Sequence, residues 1–222
     1  MGTVVDTLLP LSLVLALSPV PVLTVVLLLL ADGAMRTSAA FLVGWVGGIA
    51  GATLVSALLL DSAEAATGTG AVAAWGAIVL GGLLVVLAGR QWRSRPRSGE
   101  VPGLPRWVLA VDRFTVRRAG GLGLVFSAVS PKNLPVCVAA GGTIAAGGLS
   151  GAQGAWSLLG FTVLATSTVA VPVAAHAVLG DRTTRPLDSL RRWLTEHGAA
   201  VATTVLLAIA VLLIGQGLRG LP

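Results

Sequence analysis

Six apolar runs, near residues 7–30, 38–60, 71–89, 119–147, 155–179 and 198–218, leave this chain few ways to fold. Each comes close to the ~20 residues that a bilayer-spanning helix needs. Hydrocarbon offers a backbone no hydrogen bonds, so a spanning segment is either a helix or part of a closed barrel. None of the runs alternates apolar with polar residues as barrel strands do. The expectation is therefore an all-α integral membrane protein with six transmembrane helices. Composition agrees, because 55% hydrophobic and 11% charged residues are too apolar for a water-soluble domain of 222 residues. Residues 1–222 are expected to form one membrane domain, and Asp6 in place of a basic leading region predicts that the first run is retained rather than cleaved as a signal peptide.

A net charge of +6 would suggest a nucleic-acid partner in a soluble protein. Its distribution says otherwise. Counted on alternate sides of the six runs, thirteen arginines fall on one side and Arg219 stands alone on the other. Positive loops stay in the cytoplasm, so segments 90–118 and 180–197 are expected inside and both termini outside. Trp75 and Trp156 then mark the outer interface, and Trp92, Trp107 and Trp193 the inner one. Abundant Ala, Gly, Val and Arg point to a GC-rich bacterial genome, and so to a bacterial plasma membrane. Within 90–118, Leu104, Trp107, Val108, Val111 and Phe114 recur at helical spacing, which suits either an interfacial helix or a solvated linker with some buried residues. Residues 186–194 offer a second interfacial helix. In the second run, Gly44, Gly47, Gly48 and Gly51 form two overlapping small-xxx-small pairs, suited to internal packing or to a homodimer face.

The only lysine, Lys132, lies about halfway along the fourth run, in Ser130-Pro131-Lys132-Asn133. A charge at the centre of a membrane helix costs about 2.5–3.5 kcal/mol on insertion scales, so a functional role is its default reading. Pro131 removes a backbone donor and breaks the helix at the same depth. The bland alternative is that the side chain extends to the cytoplasmic interface or a wet vestibule. No Asp or Glu lies within any of the runs to neutralise it. Its counter-charge is then expected from an anionic substrate group, unless desolvation leaves the amine neutral part of the time.

Ser18-Pro19-Val20-Pro21 interrupts the first run as Ser130-Pro131 interrupts the fourth. Three crossings separate them, which divides the chain into 1–89 and 119–222, two three-helix halves of inverted topology around the basic segment 90–118. Paired, proline-broken segments in inverted halves are a pointer to a transporter site at the midplane. The expected substrate-binding residues are Ser18, Pro19, Pro21, Ser130, Pro131, Lys132 and Asn133, joined by Thr166 and Ser167 at similar depth in the fifth run. Thr166, Ser167 and Thr168 have a competing use, since hydroxyls in membrane helices also bond their own backbone. A proton relay would need Lys132 or His176 to titrate, although a lone His near a span end is more often a packed or interfacial residue.

Those two Ser-Pro breaks, with Phe41-Leu42-Val43-Gly44-Trp45 at the opening of the second run and Pro131-Lys132-Asn133-Leu134-Pro135 in the fourth, resemble the GAP or sulfolipid-addressing family of the lysine-exporter superfamily. The likeness covers nearly the whole chain, including Arg192-Trp193-Leu194-Thr195-Glu196-His197 before the last run. Ser130 stands where the superfamily's Asn-Pro-Lys motif has Asn, which keeps a hydrogen-bonding hydroxyl and loses the amide. The resemblance implies six helices in inverted repeats, with export of a lipid, glycolipid or other amphiphile. The wider superfamily implies amino-acid or ion efflux, and an accessory subunit of a lipid export complex is a third reading.

Other chemistries are excluded by what is missing. One cysteine, Cys137, rules out a disulfide framework, and two histidines without membrane acids make no metal site. Ser130 with His176 would need a nucleophile turn such as Gly-x-Ser-x-Gly, which is absent, so the chain is not expected to be an enzyme. No cofactor is expected. Its partners are expected to be membrane lipids and the substrate.

Overall fold

Proline and glycine set the principal helix breaks of the computed structural model, which describes residues 2–31, 33–67, 71–93, 114–130, 132–147 and 151–219. Helix α1 (Gly2–Ala16) stops where Pro19 and Pro21 withdraw two backbone donors. Leu17 and Ser18 close its last turn on the carbonyls of Leu13 and Leu15, and α2 (Pro19–Leu30) departs at 48°. The second such break separates α5 (Val116–Ala128), capped by Thr115, from α6 (Asn133–Ala146), which departs at 63°. Between these pairs lie α3 (Ala34–Thr67) and α4 (Ala71–Arg93). After them come α7 (Gly151–Leu179), a 3₁₀ turn over Gly180–Thr183, and α8 (Thr184–Arg219). Gly180 holds φ at +56°, a left-handed conformation that glycine adopts without a Cβ penalty, and so reverses the chain.

Among the described residues, two helical stretches are long and apolar enough to cross a membrane, Ala34–Ser62 and Gly151–Gly215, and up to four are if each bent pair counts as one span. The second stretch has 65 residues. Fully straight it would reach about 98 Å, some three bilayers, so the turn at Gly180 makes it two helices rather than one. Large apolar side chains cover the outside of the molecule, among them Val43, Leu58, Leu59, Val163 and Val211. Such an apolar exterior fits lipid rather than water. Trp75, Trp92, Trp156 and Trp193 are exposed with them.

Helix lengths depart from the apolar runs at two places. The second apolar run ends near residue 60, but α3 continues through Asp61, Ser62 and Glu64 to Thr67. Residues 186–194 were expected to form a separate interfacial helix, but they are continuous with the last span in the 36-residue α8. Pro186 does not stop it, because proline is tolerated in a first turn. Of the amphipathic pattern in 90–118, Leu104, Trp107, Val108 and Val111 lie outside the described residues.

Packing joins the two halves. α3 lies against α5 and α6, α7 against α1, α2 and α3, and α4 against α8. The α3–α5 contact is the closest: a Cβ on Gly44 would sit 2.0 Å from the Gly120 carbonyl oxygen, and one on Gly123 would sit 2.2 Å from that of Phe41. Only hydrogen fits at either position. Gly48 meets Ser127 in the same seam, whereas Gly47 and Gly51 face open space. The glycine pairs of the second run therefore divide, one pair inside and one outside.

Candidate functional site

The two helix breaks enclose a cavity of about 180 Å³, with Ser18, Pro19, Val20 and Pro21 on one wall and Ser130, Lys132 and Asn133 on the other. Trp45 from α3, Phe126 from α5, and Ala202 and Leu206 from α8 complete it. Pro131, expected here, lies outside the described residues.

Ser18 occupies the N-cap of α2 in an extended conformation, with φ −78° and ψ 111°. An N-cap serine ordinarily accepts from the N–H of the second or third helical residue, and here the third is Pro21, which has none. The hydroxyl makes no cap bond. It accepts instead from the ammonium Nζ of Lys132, so one hydrogen bond joins the two breaks across 114 residues of chain. Ser18 is 1% exposed, which shields that bond from bulk solvent.

Lys132 stands at the N-cap position of α6, and the Ser130 carbonyl takes the backbone N–H groups of Asn133 and Leu134, each at 3.0 Å. Asn133 donates Nδ2 to the Phe126 carbonyl at 2.9 Å, which serves one of the acceptors that the end of α5 leaves open. The first break is served differently. Thr168 of α7 donates to the carbonyl of Ala16, the last residue of α1.

Both α2 and α6 begin at the cavity wall. A helix N-terminus carries roughly half a positive charge, so the positive ends of two helix dipoles and an ammonium face one small space, although few free N–H groups do: Pro19, Pro21 and Pro135 have none, and those of Asn133 and Leu134 bond the Ser130 carbonyl. No carboxylate lines it among the described residues. The local field favours negative charge. At about 180 Å³ the space is smaller than the ~300–1,000 Å³ of pockets that enclose a whole drug-sized ligand.

The other expected site residues lie elsewhere. Thr166 is buried and donates to the Thr162 carbonyl at 2.8 Å, while Ser167 donates to Leu164 at 2.7 Å. Neither lines the cavity. His176 Nδ1 lies 2.8 Å from the Thr183 hydroxyl, which itself donates to Gly180, so this histidine fastens the turn into α8. Cys137 is a fully buried packing residue. Among the described residues no group of His, Cys, Asp and Glu assembles that could hold a metal ion. Thr168, the third hydroxyl after Thr166 and Ser167, reaches the first break and not the cavity, while Trp45, Phe126, Ala202 and Leu206 line it without being among the expected site residues. The available signal for Trp45 is its place in the Phe41-Leu42-Val43-Gly44-Trp45 motif at the opening of the second run.

No curated protein and no solved structure matches the chain. One family does, over residues 8–219, which takes in both breaks, the cavity and every helix of the second half. The chain belongs to that family, described as Sap, sulfolipid-1-addressing protein.

Proposed function

We propose that this protein is a membrane exporter of a lipid, glycolipid or other amphiphile with an anionic group, which it holds by that group between the two broken helices. The observation that carries the proposal is the cavity itself: an ammonium and two helix N-termini converge there, with no carboxylate lining the space. Membership of a sulfolipid-addressing family supports an anionic lipid over a soluble anion. The small volume supports a head group held inside while the tails remain in the bilayer.

In this reading the chain makes six crossings as two inverted halves, 1–89 and 119–222. The reciprocal packing of α3 on α5 and α6, and of α7 on α1 and α2, is what such a repeat would produce. Both termini face outward and the arginine-rich segments face the cytoplasm of a bacterial plasma membrane. The lysine-exporter superfamily is the wider relationship proposed. Transport in this reading proceeds without chemistry on the substrate, and the engagement of His176 with Thr183 supports a packing role for that histidine. Of the two residues proposed for proton coupling, Lys132 lines the cavity and His176 does not.

Comparative lipid and metabolite profiling of a deletion strain tests the substrate class. An anionic amphiphile should accumulate inside the mutant and fall at the cell surface. Accumulation of a free amino acid or inorganic ion, with envelope lipids unchanged, would replace the lipid exporter with a small-solute exporter.

A further inference from the structure

Trp45 is the fully buried tryptophan among those whose side chains are described, at 0% exposure against 47% or more for Trp75, Trp92, Trp156 and Trp193. It stacks on Phe41 with ring centroids 6.2 Å apart and lines the cavity. Its indole Nε1 is buried and has no hydrogen-bond partner among the described residues. Asn133, 1% exposed and on the same cavity wall, leaves its side-chain oxygen Oδ1 in the same state. The amide cannot be turned over to relieve this, because Nδ2 is already committed to the Phe126 carbonyl. A buried donor and a buried acceptor are thus both unpaired in two residues that line one small space. Such groups are normally satisfied, and leaving one unmade carries a full desolvation penalty. Packing alone would be served as well by Phe or Leu at position 45, with no orphaned donor.

We infer that Trp45 is a ligand-binding residue, whose indole N–H joins the Lys132 ammonium in holding the anionic group, while the Asn133 carbonyl accepts from a hydroxyl on the same head group. The inference rests on the anion-site reading above and narrows it. Lys132 and Trp45 supply donors only, so they call for an oxyanion. Asn133 Oδ1 supplies an acceptor only, so the ligand must also present a donor. The class that satisfies all three is an oxyanion that is itself singly protonated or carries a neighbouring hydroxyl, presented as a lipid head group. A bare sulfate monoester, with no neighbouring hydroxyl, meets two of the three demands and leaves Asn133 unpaired.

Isothermal titration of the full chain in lipid nanodiscs tests this with three probes: butyl sulfate, butyl phosphate and inorganic phosphate. At about pH 5, below the second phosphate pKa of about 6, butyl phosphate keeps one P–OH while butyl sulfate has none. Wild-type protein should bind both esters, and the phosphate about tenfold tighter. Trp45→Phe, which keeps the stack on Phe41 and removes the N–H, should weaken both by about tenfold or more, as expected for a hydrogen bond to a charged group. If that variant does not fold, 3-benzothienylalanine at position 45 preserves the bicyclic shape and lacks only the donor. Lys132→Ala separates the two levels. Loss of both esters in Lys132→Ala with unchanged binding in the Trp45 variants would overturn the role of Trp45 and keep the anion site. Unchanged binding in Lys132→Ala, or no binding of any probe by wild type, would overturn the anion site and this inference with it. Equal affinity for the two esters would remove the role given to Asn133, and preference for inorganic phosphate over its ester would overturn the head group as the source.

Discussion

The break at Ser18-Pro19 and the break at Ser130 share a serine, a bend and a place on the cavity wall, yet only the second carries a charge. At the first, prolines at the first and third helical positions strip the helix start of donors, and the buried Ser18 hydroxyl is left to accept from outside. At the second, Lys132 supplies the donor and Asn133 ties its amide back to the end of α5. The first break leans on the other half of the chain for repair, since Thr168 of α7 serves its open carbonyl. The second repairs itself. A site of this kind takes its bent scaffold from both halves and its charge from one.

That division can be broken by mutation. The largest effect belongs to the charged break: Lys132→Ala should abolish export while the protein still inserts and folds, whereas Val20→Ala, on the uncharged wall, should leave at least about half of it. Comparable losses in both, by surface-lipid assay, would make the two breaks equivalent. Next comes the seam that positions the charged break. Gly123→Leu forces a side chain into the Phe41 carbonyl and should cost about 3 kcal/mol or more in a thermal-stability assay, since overpacking alone costs ~1–3 kcal/mol. Gly47→Ala, one turn from Gly44 and facing open space, should change stability by less than about 0.5 kcal/mol. A large loss at Gly47 would show that its open face is covered by a second copy of the chain.

Smaller effects sharpen the comparison. Ser18→Ala removes the partner of Lys132 and keeps the charge, so export should fall about tenfold without vanishing, in line with a charge-assisted bond of roughly 1.5 kcal/mol. If Ser18→Ala were as damaging as Lys132→Ala, the first break would be a binding element in its own right. Thr168→Val leaves the Ala16 carbonyl unserved and should cost about 1 kcal/mol of stability with little direct effect on export.

Much of this was written locally in the chain. Prolines at 19 and 21, and a lysine in mid-run, each name their own consequence without knowledge of the fold, and the structure brings those residues to one cavity. Hydroxyls were harder. Of Thr166, Ser167 and Thr168, one reaches another helix and two bond their own, and only the rotation of α7 decides which. A sequence of three adjacent hydroxyls does not carry that rotation. Helix ends were misjudged for a different reason, because the end of an apolar run marks where lipid ends, not where the helix does. Asp61, Ser62 and Glu64 leave the apolar run without stopping α3, and the polar residues from 184 to 197 do not stop α8. Trp45 was legible as part of a family motif but not as a cavity wall, since tryptophans of membrane proteins ordinarily mark the interface.

The central claim is that the space between the breaks receives an anionic head group through Lys132. An experimental structure of the protein purified with its co-extracted lipids tests it most directly. The account predicts density for an anionic group within about 3 Å of Lys132 Nζ, with the acyl chains outside the cavity against the apolar surface. A cavity holding only water, with the same lipids bound elsewhere on the molecule, would contradict it.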